Sequence, residues 1–360
     1  MHPDTSVNVE RTTTPPSSTN SREEKTPNKF VTFWHKVYRL LGFQKGYNFT
    51  LFIIFAGAMM GFTLARLPYL NIAGTAATSF ANSSSPGEWY WYNAGVYRIG
   101  ITLHLGTILP AGFLMVWQFV PVIRYKLLIF HRINGYVIIL LVFISNVGAL
   151  MICRRSFGGT LETQAGVGTL VIITTTSICL AYYNIKCLQI DQHRAWMLRA
   201  MFYLGTIITM RLIMIISALI ITRLGSYYTT RSCDEIAFIY DSNDSVKEFY
   251  PQCSSPNSTV DGLVVVHASF ASGRPEQIGA SLGVSFGMAL WLAILMHLVG
   301  VEVYLALTPR ESNRLRQVSY ERQMERGFKN PGSAGLTSDR WGDAEPWRPM
   351  REVAPIETGK

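Results

Sequence analysis

Apolar positions fall in six long runs, separated by polar segments of very different length. A helix rises ~1.5 Å per residue and the hydrocarbon core of a bilayer is about 30 Å thick, so each run is long enough to cross a membrane. The pattern predicts spans at roughly 47–67, 98–121, 134–153, 166–186, 195–222 and 281–307. Within the runs apolar residues are continuous rather than alternating, which excludes the strands of a β-barrel. The expected fold class is all-α: a polytopic transmembrane helical bundle of about six spans. Residues 1–46 precede the bundle. Their first part, 1–28, is rich in Ser, Thr and Pro and is expected to be disordered. "KFVTFWHKVYRLLGFQKGY" follows as a basic, aromatic segment expected to lie on the membrane surface. This leader is too polar and too long for a cleavable signal peptide. The bundle occupies 47–307 and includes a long loop at 223–280; residues 308–360 are expected to form a cytosolic tail.

Composition agrees with this reading, at 49% hydrophobic and 15% charged residues. The net charge of +9 lies mostly in tails and short loops, so it reads as topology and lipid contact and not as nucleic-acid binding. Lys29, Lys36, Arg39 and Lys45 precede the first span. Arg124, Lys126 and Arg132 lie between the second and third, Lys186 and Arg194 between the fourth and fifth, and Arg310, Arg314 and Arg316 after the sixth. All fall on one side, which the positive-inside rule makes cytosolic together with both termini; Arg154 and Arg155 run against the rule. The other side carries Cys233 and Cys253 in one loop and the sequons at Asn82 and Asn257. A disulfide between the two cysteines and glycans on the two asparagines are expected there, in the endoplasmic reticulum or another endomembrane. Cys153, Cys179 and Cys187 read as structural.

Candidate chemistry begins at two similar helix entrances, "FHRINGYVIIL" (130–140) and "DQHRAWMLRAM" (191–201). The turns before them, "RYKLLIFHR" and "KCLQIDQHR", each have a basic residue, six spacers and then His-Arg, which suggests a duplicated helical hairpin. His131 and His193 then sit on the first turn of two spans at the cytosolic mouth, with Asp191 beside them and Glu302 near the same level. Histidines next to carboxylates have pKa values adjustable around neutrality and suit proton transfer. These four are the catalytic candidates, with Arg132 and Arg194 either holding an anionic or phenolic head or snorkelling to lipid headgroups. A second polar layer lies deeper. Arg211 is roughly 24 Å from the start of its span at ~1.5 Å per residue, with His104 at similar depth and Asn146 close by. An arginine so placed needs a partner: a carbonyl, Glu88 from the preceding loop, or an anionic ligand. His104, Arg211 and Asn146 are therefore substrate-binding candidates. His297 reads equally as packed core, and "PGEWYWYNAG" (86–95) as an interfacial aromatic belt or a lid over a pocket.

The pieces "SPGEWYWY" (85–92), "HLGTILPAG" (104–112), "QFVPVIR" (118–124), "HRINGY" (131–136) and "DQHRAWMLRA" (191–200) resemble a family of predicted multispanning membrane proteins of fungi and bacteria, a domain-of-unknown-function family with His-Arg motifs. The resemblance covers roughly 85–222. It implies a helical bundle whose histidines and arginines line a shared interior.

Three functions fit. The first is a membrane-embedded terpene or meroterpenoid cyclase of fungal secondary metabolism, acting by protonation on a prenylated, lipophilic substrate. It needs an acid, a base and aromatic walls, each good cation–π contact contributing about 0.5–2 kcal/mol, and it needs no cofactor. No paired-aspartate motif for a metal-bound diphosphate is visible, so no metal is expected. The alternative is a haem- or quinone-linked oxidoreductase, with haem b between His131 and His193. The third is a transporter-like protein without chemistry. The expected partners are the bilayer and a lipophilic small molecule, with no nucleic acid.

Overall fold

The computed structural model describes residues 29–254 and 262–349; the tail at 1–28, the sequon at Asn257 and residues 350–360 lie outside the described residues. Six helices among the described residues are long and apolar enough to cross a membrane: Gly46–Leu70, Gly95–Gln118, Leu128–Ile152, Leu161–Lys186, Ile190–Leu224 and Pro275–Ala306. The chain is an all-α polytopic bundle. Spans three to six start several residues before their apolar runs, because polar first turns continue the helix beyond the hydrophobic stretch. Thr160 caps span four by accepting the Thr163 N–H at 3.4 Å, and Pro275 opens span six at a position where a missing N–H costs nothing. Span five ends at Gly225, whose φ of 67° favours glycine.

Small residues set the helix crossings, as expected where lipid supplies no hydrophobic drive between helices. Spans two and three approach so closely at Gly100 and Gly148 that a Cβ on Gly148 would stand 2.6 Å from the Gly100 carbonyl. Spans five and six pack through Met210, Met214, Ala289, Leu290, Ala293 and Ile294. A further cluster of Ala111, Met115, Ile138, Val142, Ile178 and Ala200 ties spans two to five together.

The two ends of the bundle differ. On one, here the loop face, residues 225–254 and 262–274 form a small cap built on the antiparallel strands Tyr228–Ser232 and Leu263–His267. Cys233 and Cys253 are bonded, with Cα atoms 5.4 Å apart, and Ile236, Val246, Tyr250, Val264 and Val266 fill the interior. The buried Glu276 carboxylate accepts from the Tyr240 and Tyr250 hydroxyls at 2.7 and 3.0 Å.

On the other end, the terminal face, the helix Lys29–Leu40 meets the turn between spans two and three, where the Val122 N–H donates to the Leu41 carbonyl at 3.1 Å. The helix Pro309–Glu325 and residues up to 349 fold back against the turn between spans four and five. Gln189 and Gln323 are fully buried in that contact.

Candidate active site

The crossing at Gly100 and Gly148 decides where His104 points. It lies one turn beyond Gly100, and its Nδ1 meets the Ser145 carbonyl and hydroxyl at 3.2 and 2.9 Å. Asn146, on the next position of the helix, turns instead to span four, donating to Thr174 and Thr175 at 3.3 and 3.1 Å. His104 lies within electrostatic reach of Arg211 on span five.

Arg211 sits over the Phe157 ring, 4.7 Å from its centroid, and Phe157 stacks on Phe286 of span six at 4.4 Å and 10°. Phe157 holds this place with a left-handed backbone, φ 49°, an unfavourable conformation for a bulky residue. Its N–H donates to Glu88 at 3.4 Å. Glu88 opens the short helix Glu88–Tyr92, which follows Gly87 at φ 92°; a side chain on Gly87 would collide with the Arg231–Glu235 ion pair of the cap. The motif "SPGEWYWY" is thus clamped between bundle and cap.

The Glu88 carboxyl is raised above the ordinary glutamate pKa. Burial drives the shift, and the Arg211 charge, the Phe157 and Ser85 N–H groups and Arg231 oppose it. Among the described residues no carboxylate comes within ion-pair distance of Arg211. Burial also pushes the Tyr92 hydroxyl upward; it shares a 2.9 Å hydrogen bond with Ser156. Around them further guanidiniums lie on aromatic faces: Arg98 on Trp89 at 4.8 Å, Arg155 on Trp91 at 3.6 Å and Arg66 on Tyr69 at 5.0 Å. The loop face therefore holds a half-buried carboxyl, an arginine within electrostatic reach of it and aromatic walls.

At the terminal face His131 and His193 occupy equivalent positions, each three residues past the first residue of its span. They lie within electrostatic reach of each other. The carboxylates expected beside them are turned elsewhere. Asp191 is two residues from His193, about 200° around the helix, and accepts from Gln189, Ser319 and Gln192 at 2.7, 3.1 and 3.3 Å. It docks the C-terminal segment. Glu302 is paired in a two-pronged contact with Arg199 at 2.6 and 2.9 Å, its side chain 54% exposed. The expected four-residue acid–base set is not assembled.

Arg132 is exposed on the outside of the bundle, whereas Arg194 turns to Thr308 and Ser312 at 3.3 and 3.5 Å. His297 is a satisfied core histidine, bonded through Nδ1 to the Phe202 carbonyl at 2.6 Å and through Nε2 to Thr209 at 2.8 Å. The Asn82 side chain donates to the Gly74 and Ala76 carbonyls at 3.3 and 3.0 Å in the exposed loop before Glu88. Among the described residues no three His, Cys, Asp or Glu side chains gather as a metal site.

Phe157 and Tyr92 were not singled out as site residues from sequence, and Glu88 entered only as one of three partners for Arg211. The signal for Phe157 was weak: an aromatic beside "GG" in a short loop. Its role depends on a backbone conformation that no pattern announces.

No solved structure gives a significant match to the chain. "Ava biosynthesis cluster protein G" of Aspergillus versicolor is 23% identical over 312 residues, spanning 74% of this chain and 90% of that relative. Residues 101–233 match the family described as "Predicted membrane protein (DUF2306)". That segment holds His104, His131, Asn146, His193 and Arg211, while Glu88 and Glu302 lie outside it. The matched segment includes both His-Arg motifs on which the resemblance rests.

Proposed function

We propose that the protein is a membrane-embedded cyclase that isomerises a prenylated, lipophilic substrate by protonation, within a fungal secondary-metabolic pathway. The observation that carries this reading is the half-buried Glu88 carboxyl, bonded to the Phe157 N–H and within electrostatic reach of the Arg211 guanidinium that lies on the Phe157 ring. Burial favours the protonated form of this carboxyl, the form that a general acid needs. Its O–H bond breaks as a C–H bond forms at an olefin, or an O–H bond at an epoxide, and the resulting cation closes rings. The cascade ends when a carbon next to the cation loses a proton to a base. His104 is suited to that step, since Ser145 occupies its Nδ1 and no partner is assigned to Nε2 among the described residues. Atoms balance: product and substrate are isomers, and no oxidant is consumed. Arg211 holds the polar head of the substrate. The relative's biosynthetic-cluster name supports a place in such a pathway.

The test is incubation of membranes containing the full chain with a farnesylated phenol and its terminal epoxide, followed by mass spectrometry. A cyclised product of unchanged mass that disappears in Glu88→Gln supports the reading. Absence of any isomer, together with a Soret band in the purified protein that is lost in His131→Ala and His193→Ala, would replace it by the haem-linked alternative.

A further inference from the structure

The terminal face gathers cations that the chemistry at Glu88 does not use. Arg124, in the turn after span two, is within electrostatic reach of His131, His193, Arg194 and Glu311. His131 Nδ1 is sealed from solvent and has no hydrogen-bond partner among the described residues. His193 donates its Nδ1–H to the Ala181 carbonyl at 2.9 Å, so its Nε2 is an acceptor, able to take the P–OH hydrogen of a phosphate monoester. Arg194 makes only long contacts to two hydroxyls, at 3.3 and 3.5 Å, and lies 5.8 Å from the Tyr304 ring centroid.

Carboxylates offset these charges only in part: Glu311 acts on Arg124 and Arg194 as well as on Arg314. Asp191 and Glu302 are engaged elsewhere, and Glu311 is held by both prongs of Arg314 at 2.9 and 2.8 Å. Spans three and five also begin at this face, and each brings the positive end of a long helix to it. Donors arriving from several elements suit a tetrahedral anion with more than one charged oxygen, for which arginine is well shaped. The first turns of spans lie at the depth of phospholipid headgroups. The geometry points to a second ligand site at the terminal face, in which Arg124, Arg194, His131 and His193 bind a phosphate group, either on a lipid headgroup or free.

The test uses the full-length protein in detergent, with dioleoylphosphatidic acid and inorganic phosphate as probes. Native mass spectrometry reads how much of the lipid survives washing, and a thermal-unfolding scan reads stabilisation by phosphate. Loss of one charge-assisted contact should weaken binding on the order of tenfold. Arg124→Gln and Arg194→Gln should each lose lipid retention or phosphate stabilisation to that extent, while the outward-facing Arg132→Gln retains both. Phosphate that displaces the lipid shows that the anion alone is recognised. Retained lipid in the presence of phosphate assigns the site to the lipid. Arg124 is exposed, so its variant gives a result even if Arg194→Gln misfolds. Equal lipid retention in wild type and all variants without any phosphate stabilisation, or no binding of either probe by the wild type, overturns the proposal.

Discussion

At Glu88 two effects oppose each other, and burial prevails over the neighbouring guanidinium. The sign fixes the expected pH dependence. An acid with a raised pKa stays protonated above the ordinary glutamate value of 4.5, so proton donation is full at low pH and declines as pH rises through the raised pKa. Glu88→Gln keeps the shape but cannot donate a proton; turnover should fall by roughly 10²- to 10⁴-fold, while thermal stability changes little. Arg211→Leu removes the largest influence holding the Glu88 pKa down. The alkaline limb of its pH–rate profile should therefore move to higher pH even as KM rises. Arg211→Lys should retain the limb of the wild type, because it keeps the charge, yet bind substrate more weakly for lack of the planar fork. An unchanged limb in Arg211→Leu would show that Glu88 does not titrate in the reaction.

The segment after span six shows what a chain pattern can and cannot disclose about an element. Gln323 donates to the Cys187 carbonyl at 2.9 Å and to Gln189 Oε1 at 3.1 Å, and accepts the Gly332 N–H at 2.7 Å. The Leu336 N–H donates to Asn184 at 2.9 Å, and the Ile190 N–H to Ser319 at 2.8 Å. Gln323→Ala would leave several of these buried groups unpaired, at about 1–3 kcal/mol each. Trypsin cleavage after Arg326 or Lys329 should accelerate about tenfold or more, with the six spans intact. Asp339 sets the pH range of this docking. Burial favours its protonation, but bonds from Ser333, Arg316 and the Trp347 N–H outweigh it and lower its pKa. The stability it contributes is present above its ordinary value of 3.8 and is lost only as pH falls below that; protection from an acid-active protease should persist down to that pH. None of this docking was legible in the sequence, because it rests on amide side chains meeting backbone groups far along the chain. The spans were legible because length and apolarity decide them locally, whereas their polar first turns, such as Ile190–His193 with Asp191, Gln192 and His193, were not. Asp191 was misleading for a geometric reason: a neighbour in sequence is not a neighbour on a helix surface.

Taken whole, the molecule has two polar ends joined by an apolar middle. An acid and an arginine with aromatic walls lie under a disulfide-tied cap on the loop face, and a histidine–arginine cluster lies under a folded C-terminal segment on the terminal face. Each end matches one compartment. We propose a cytosolic terminal face, because basic residues of the short turns crowd it, and an oxidising compartment at the other end, where a bonded Cys233–Cys253 pair belongs. In sealed microsomes a tag after Lys360 should then be digested by added protease, while the cap should resist until detergent is added. A glycan on Asn82 would have to displace its bonds to the Gly74 and Ala76 carbonyls, so it forms, if at all, before that loop closes. Topology is therefore better tested on the cysteines. Alkylation of freshly isolated membranes should label neither Cys233 nor Cys253 without a reductant. Labelling of both, with the tag protected, would invert the molecule and place the Glu88 site on the cytosolic side.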